Sequence, residues 1–257
     1  MRVGLIGLGA IGRGVIELLR PEDEVELVGA LVADPSMSRP PGSPRICGDL
    51  TQLLELHPEV VVEAAGHAAL VCYGPPVLRA GIDLLLVSAG ALADPEAERA
   101  IVAAAREGGA QARVVSGAIG GLDAIRAAAV GGLDRVTHTT RKPARTLLSA
   151  EEAQSLEAPR ELFRGTAREG VLRFPESINV AAAVSLAGIG LDRTEVCVIA
   201  DPTIDRNRHE VVARGAFGEL RFEISNVPSD ENPRTGRLVA MSVVQALRRQ
   251  RARLVIG

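Results

Sequence analysis

Six residues near the start of the chain, Gly7-Leu8-Gly9-Ala10-Ile11-Gly12, carry three glycines at the spacing of a phosphate-cradling turn. Gly7 permits a tight turn, Gly9 lets the backbone approach a pyrophosphate, and Gly12 allows the following helix to pack closely. The amides of Ala10 and Ile11, in the first turn of that helix, then face the phosphates. An acidic residue, Asp34, follows 22 positions after Gly12, where a carboxylate would accept hydrogen bonds from adenosine ribose hydroxyls. This favours NAD. Ser36, Ser38 and Arg39 lie just beyond and could hold a 2′-phosphate, so NADP stays open, as does a plain Asp-Pro turn at Asp34-Pro35.

Hydride removal from an alcohol or amine also needs a base, and histidine is the usual one near neutral pH. The chain has four. His57 precedes Pro58 in a loop and reads as exposed. His67 follows the strand end Ala64-Ala65-Gly66, within reach of a cofactor. His138 lies inside a strand, and His209 follows the polar loop Asp201 to Arg208 into a strand. Position alone prefers His209 without deciding the matter.

The elements that must position these groups alternate in the first half. Arg2–Ile6 reads as a strand, followed by the Gly turn and by Val15, Ile16, Leu18 and Leu19 at helical spacing. Further strands are expected at Val25–Val32, Glu59–Glu63, Ile82–Val87 and Ala112–Val115. Helices are expected at Ala68–Arg79 and Pro95–Arg106, the latter capped by Asp94. The fold class is therefore α/β, a Rossmann-type doubly wound parallel sheet over residues 1–118.

The second half changes pattern. Strands at Glu195–Ile199, His209–Gly215 and Gly218–Ser225 have little helix between them, and Leu220, Phe222 and Ile224 alternate with charges. That predicts a second α+β domain with a mixed sheet over 119–232, covered by helices at Ala124–Val130 and Asn179–Ala187. An amphipathic helix, Arg234–Arg249, is expected to return to the first domain within residues 233–257.

With 47% hydrophobic residues and a net charge of −3 from 29 basic and 32 acidic side chains, the chain can bury large cores. It has no basic run or aromatic platform for nucleic acid. Lys142 is the single lysine. The three cysteines, Cys47, Cys72 and Cys197, lack metal-ligand spacing and read as buried thiols, so no metal is expected. The glycine spacing makes the N-terminus a strand and turn instead of a signal peptide. No apolar run is long enough to span a bilayer, and a cytoplasmic location is expected.

Several further segments resemble the L-aspartate dehydrogenase family over nearly the whole chain. They are Ser116-Gly117-Ala118-Ile119-Gly120-Gly121-Leu122-Asp123, Thr140-Arg141-Lys142-Pro143, Phe174-Pro175, Asn179-Val180-Ala181-Ala182, Asp201-Pro202 with Asn207-Arg208-His209-Glu210, Gly215-Ala216-Phe217-Gly218, Asn226-Val227-Pro228-Ser229 and Asn232-Pro233. The resemblance implies a homodimer that uses NAD or NADP to oxidise L-aspartate to iminoaspartate. That product hydrolyses to oxaloacetate and ammonia or feeds NAD synthesis. The resemblance further implies His209 as the catalytic histidine and Ala118 and Asn179 as cofactor contacts. Ser177 departs from the family's asparagine, and a hydroxyl offers fewer hydrogen bonds than an amide.

A dicarboxylate needs cations. Lys142, Arg141, Arg206 and Arg208 are the candidates, with Asn207 as a polar substrate contact. The Ser116–Asp123 turn reads either as cofactor contact or as a plain strand-to-helix connection. Two other classes remain: a reductase of the homoserine dehydrogenase or dihydrodipicolinate reductase type, against which the His209 segment argues, and a non-catalytic NAD(P)-binding sensor.

Overall fold

The computed structural model describes residues 1–36, 42–174, 179–229, 231–232 and 235–256. Ser38, Arg39, Ser177, Pro233 and Arg234 lie outside them. The chain forms two compact units, Met1–Gly117 with Val239–Gly257, and Ala118–Leu238.

The first unit alternates β1 (Arg2–Ile6), α1 (Ala10–Leu18), β2 (Glu26–Leu31), β3 (Arg45–Cys47), α2 (Leu50–Leu54), β4 (Val60–Glu63), α3 (His67–Arg79), β5 (Asp83–Leu86), α4 (Pro95–Gly108) and β6 (Ala112–Val114). The strands pair in parallel in the order β3-β2-β1-β4-β5-β6. Their apolar runs are buried on both faces, as in Val60-Val61-Val62 and Leu84-Leu85-Leu86. The order reverses between β1 and β4, so the connections leaving those strands diverge at the sheet's carboxyl end. Asp94 caps α4 by accepting from the Glu96 amide at 2.9 Å, and Pro95 opens the helix.

One strand of this unit was not foreseen, and one expectation changes. The short edge strand β3 has only three residues between polar loops, too few to show a period. Cys72 is exposed, while Cys47 and Cys197 are buried. On α3, Leu70 and Gly74 face inward, and a residue two positions from each points away by the helical period.

The second unit contains α5 (Leu122–Val130), β7 (Leu133–Pro143), α6 (Ala150–Ser155), β8 (Arg160–Thr166), α7 (Ala167–Arg173), α8 (Asn179–Ala187), β9 (Glu195–Asp201), β10 (Asn207–Gly215) and β11 (Gly218–Asn226). Its five strands run β11-β10-β7-β9-β8, with β7 and β9 parallel and the other pairs antiparallel. The helices α5 and α8 cover one face, where Ile125, Val180, Val184 and Ala187 pack against Val136, Val211 and Ala213. The other face carries charges, including the Arg135–Glu195 and Arg221–Glu210 pairs.

The final helix, α9 (Leu238–Arg251), starts later than the expected Arg234 and belongs to the first unit. Ala240 abuts Gly14 of α1, where a Cβ on the glycine would meet the alanine methyl at 2.9 Å. Arg248 pairs with Asp23 at 2.6 Å.

Candidate active site

In the first unit the Gly turn joins β1 to α1 at the reversal point. Gly7 has φ +97° and its amide is held by the Leu31 carbonyl at 2.9 Å, a backbone only glycine adopts without strain. A Cβ on Gly12 would sit 2.4 Å from the Gly7 carbonyl oxygen. Gly9 differs: a Cβ there would meet nothing within 4 Å. The space above Gly9 and the amides opening α1, with Gly9 as its N-cap, fit a pyrophosphate, which needs both close approach and donors. Asp34 is exposed, and its Oδ1 accepts from the Ser36 hydroxyl at 2.6 Å and amide at 2.9 Å. These bonds hold the carboxyl below the usual carboxylate range. Asp34 thus makes the local turn that the sequence also allowed.

One buried polar residue near this edge escaped the sequence reading. Glu63 ends β4 and is fully buried. Its Oε1 accepts from the amides of Ala65 and Gly66 at 2.8 and 2.9 Å and from the Ser88 hydroxyl at 2.9 Å. Its Oε2 accepts from the Ser88 amide at 3.1 Å. A carboxylate so paired ties the loops leaving β4 and β5 together at the carboxyl edge where such sheets bind ligands. The only signal was an acidic residue closing a run of three valines.

The second unit sorts its polar residues by strand alternation. His209 on β10 stands opposite Thr140 on β7, and Val211 stands opposite His138. These four share the face covered by α5 and α8, as do Lys142 and Asn207 two residues further along their strands. All six are buried. His138 Nε2 lies 3.3 Å from His209 Nδ1, and the rings stack with centroids 5.4 Å apart. Burial, then Lys142, lowers the His138 pKa to about 3. Burial, His138 and Lys142 lower that of His209 well below the ordinary imidazole value. Both rings are therefore neutral at pH 7, the form a base requires.

Arg141 is not part of this group. It projects from the opposite face of β7, where it pairs with Asp201 at 3.0 Å. It lines a cavity of about 350 Å³ with Thr139, Arg208, Glu210 and Glu223 that also reaches His209. Three carboxylates, Asp201, Glu210 and Glu223, offset its two arginines, which makes it a poor seat for a dianion. Arg206 is engaged with Asp205 at 2.8 Å. Of the predicted substrate contacts, Lys142 and Asn207 share the buried sheet face with His209, Arg141 and Arg208 lie on the opposite face and line the cavity that reaches His209, and Arg206 sits in the loop before β10, paired with Asp205. The reason is the period of two: adjacent residues on a strand cannot share a face.

Ala118 accepts at its carbonyl from Asn226 Nδ2 at 2.8 Å, and Asn179 opens α8. The glycines of the Ser116–Asp123 turn have packing reasons too: a Cβ on Gly120 would press to 2.7 Å from the Phe222 ring. His57 is exposed with φ 49°, and His67 begins α3, away from the buried pair in sequence and element.

Residues 7–115 match the family model described as the NAD-binding domain of homoserine dehydrogenase, and residues 123–250 match that of the aspartate dehydrogenase C-terminal domain. A curated L-aspartate dehydrogenase of Ralstonia pickettii is 44% identical, covering 96% of each chain. L-aspartate dehydrogenase 2 of Bordetella bronchiseptica is 41% identical, covering 100% of this chain and 99% of that one. The crystal structure of aspartate dehydrogenase from Thermotoga maritima superposes with a TM-score of 0.82 at 27% identity, over 100% and 99% of the two chains. A dihydrodipicolinate reductase shares only the fold, with a TM-score of 0.56 at 14% identity. The first unit is an NAD(P)-binding Rossmann domain, the second separates this chain from the reductases, and the chain belongs to the L-aspartate dehydrogenase family.

Proposed function

We propose that the protein oxidises L-aspartate to iminoaspartate with NAD or NADP, His209 acting as the base, and that iminoaspartate hydrolyses to oxaloacetate and ammonia. The observation that carries this reading is the buried, neutral His209 grouped with Lys142 and Asn207 on one sheet face, in a chain alike throughout its length to L-aspartate dehydrogenases. NAD(P), when bound, accepts the hydride from the substrate Cα.

The residues do the rest. Gly7, Gly9 and Gly12 shape the turn for the pyrophosphate, Ala10 and Ile11 supply amides, and Asp34 takes the ribose. Ala118 and Asn179 are the further cofactor contacts. Substrate ammonium must lose a proton before the C–N bond gains double-bond character, and neutral His209 accepts it. Lys142, the one cation on this face of β7, β10 and β11, supplies a point charge for a substrate carboxylate. The amide of Asn207 adds a donor beside it. The working form is a homodimer, which light scattering of the purified protein tests.

The decisive assay mixes protein, L-aspartate and NAD or NADP and follows absorbance of the reduced nicotinamide, with homoserine and other amino acids as controls. Aspartate-dependent reduction is expected, and its absence at a pH that neutralises the amine defeats the reading. His209→Ala is expected to lower kcat by about 10²- to 10⁴-fold, the span of general base catalysis, while cofactor affinity is retained.

A further inference from the structure

We propose that His138 is a positioning residue for His209: its Nε2 accepts the hydrogen bond from His209 Nδ1–H and so presents the bare His209 Nε2 to the substrate. This rests on His209 being the base of the proposed reaction. It goes further by assigning a role to a buried histidine that otherwise has none.

The geometry is specific. Among the described residues His138 Nε2, at 3.3 Å, is the hydrogen-bond partner of the His209 ring. Catalytic histidines commonly have the nitrogen away from the substrate held by a carboxylate, which sets tautomer and ring orientation. Among the described residues, no carboxylate hydrogen-bonds the His209 ring. The charged group acting on both rings is Lys142. The strands flanking β7 and β10 present Val196, Val198, Phe222 and Ile224, and α5 and α8 present Ile125, Val180 and Val184. Among the described residues, the neutral imidazole of His138 is the group placed to orient His209.

Proton bookkeeping then restricts the pair. Two neutral rings carry two protons, and the His138–His209 contact accommodates one. If His138 Nε2–H donated, the proton of His209 would sit on Nε2 and block it as a base. If His209 Nδ1–H donates, Nε2 is bare and the His138 proton sits on Nδ1. Among the described residues, buried His138 Nδ1 has no hydrogen-bond partner, so no described side chain stands ready to take a proton onward from His138. The described side chains supply no onward acceptor for a relay through His138, and the task assigned to it is orientation. Substrate ammonium, a donor, favours the second arrangement, because it requires a lone pair at His209 Nε2.

Two variants and one spectrum test this. In His138→Gln the side-chain amide oxygen reaches toward the position of Nε2 and accepts the same hydrogen bond. In His138→Phe the ring volume stays but the acceptor is lost. We expect His138→Phe to lower kcat by about 10- to 100-fold, part of the general base contribution, with KM for the cofactor unchanged and with rescue in His138→Gln. Ring-nitrogen NMR of the unaltered enzyme, held with reduced cofactor and L-aspartate so that no turnover occurs, should show His209 protonated at Nδ1.

A His138→Phe enzyme with undiminished kcat overturns the proposal, as does a spectrum showing the His209 proton at Nε2. The spectrum stands even where His138→Phe does not fold. Loss of turnover in His209→Ala together with full turnover in His138→Phe defeats this proposal alone. Retained turnover in His209→Ala defeats the underlying reading.

Discussion

An imidazole in water is half protonated near pH 6.5, and burial without a carboxylate removes that proton from both His138 and His209. The consequence reaches beyond the reaction. Unfolding returns each ring to its ordinary value, so between pH 6.5 and about 3 the unfolded chain binds protons that folded His138 does not. Stability therefore rises with pH through this window and is lost on acidification, by about 1.4 kcal/mol per pH unit for each fully responding histidine. Thermal melts from pH 7 to pH 4 should show the fall, and His138→Phe should flatten it. An unchanged slope in that variant would place the acid sensitivity elsewhere.

Among the elements, the turn between β1 and α1 carries two different demands on glycine. At Gly12 the demand is internal, since an added Cβ would meet the Gly7 carbonyl oxygen at 2.4 Å and the helix would have to move. At Gly9 nothing lies within 4 Å, and only a ligand's approach calls for the missing side chain. Gly9→Ala should accordingly leave the melting temperature nearly unchanged while weakening NAD(P) binding. Gly12→Ala should lower both, with a stability loss of about 1–3 kcal/mol, the range for overpacking. Calorimetry of folding and of cofactor binding separates the two, and equal melting losses would refute the distinction.

For the molecule as a whole, the chain leaves the first unit after Gly117 and comes back to it with α9. Two kinds of contact hold this helix. Leu247 is fully buried, and Arg248 makes a two-pronged pair with Asp23 at 2.6 and 3.0 Å while remaining 45% exposed. The buried leucine should dominate: Leu247→Ala costs about 2–5 kcal/mol by lost burial and cavity formation. Arg248→Ala should cost less, because the Arg248 end of the pair is half exposed and screened by solvent even though Asp23 is 6% exposed. Denaturant melts of the two variants rank them, and a reversed order would make the ion pair the anchor.

Much of this was legible from residue order. The alternating half, its Gly turn and the exact span of α8 follow from apolar periods and glycine chemistry, which act between near neighbours in sequence. The family resemblance selected His209 among four histidines. Other features required the fold. β8 alternates too weakly to be read, its residues being mostly exposed or half-buried. Glu63 has no partner within its own strand, and its meaning comes from Ser88, 25 residues away.

The separation of Arg141 from Lys142 needed only the rule of alternation, but it could be applied only once β7 was known to run on to Pro143. Pairing His138 with His209 needed more. Their 71-residue separation is closed by the antiparallel register of β7 and β10, which no local preference encodes. Sequence alone determined the cofactor class and which residue types were present to do chemistry. Tertiary structure decided which of them share a face, because strand pairing and burial set both the distance between side chains and the protons they carry.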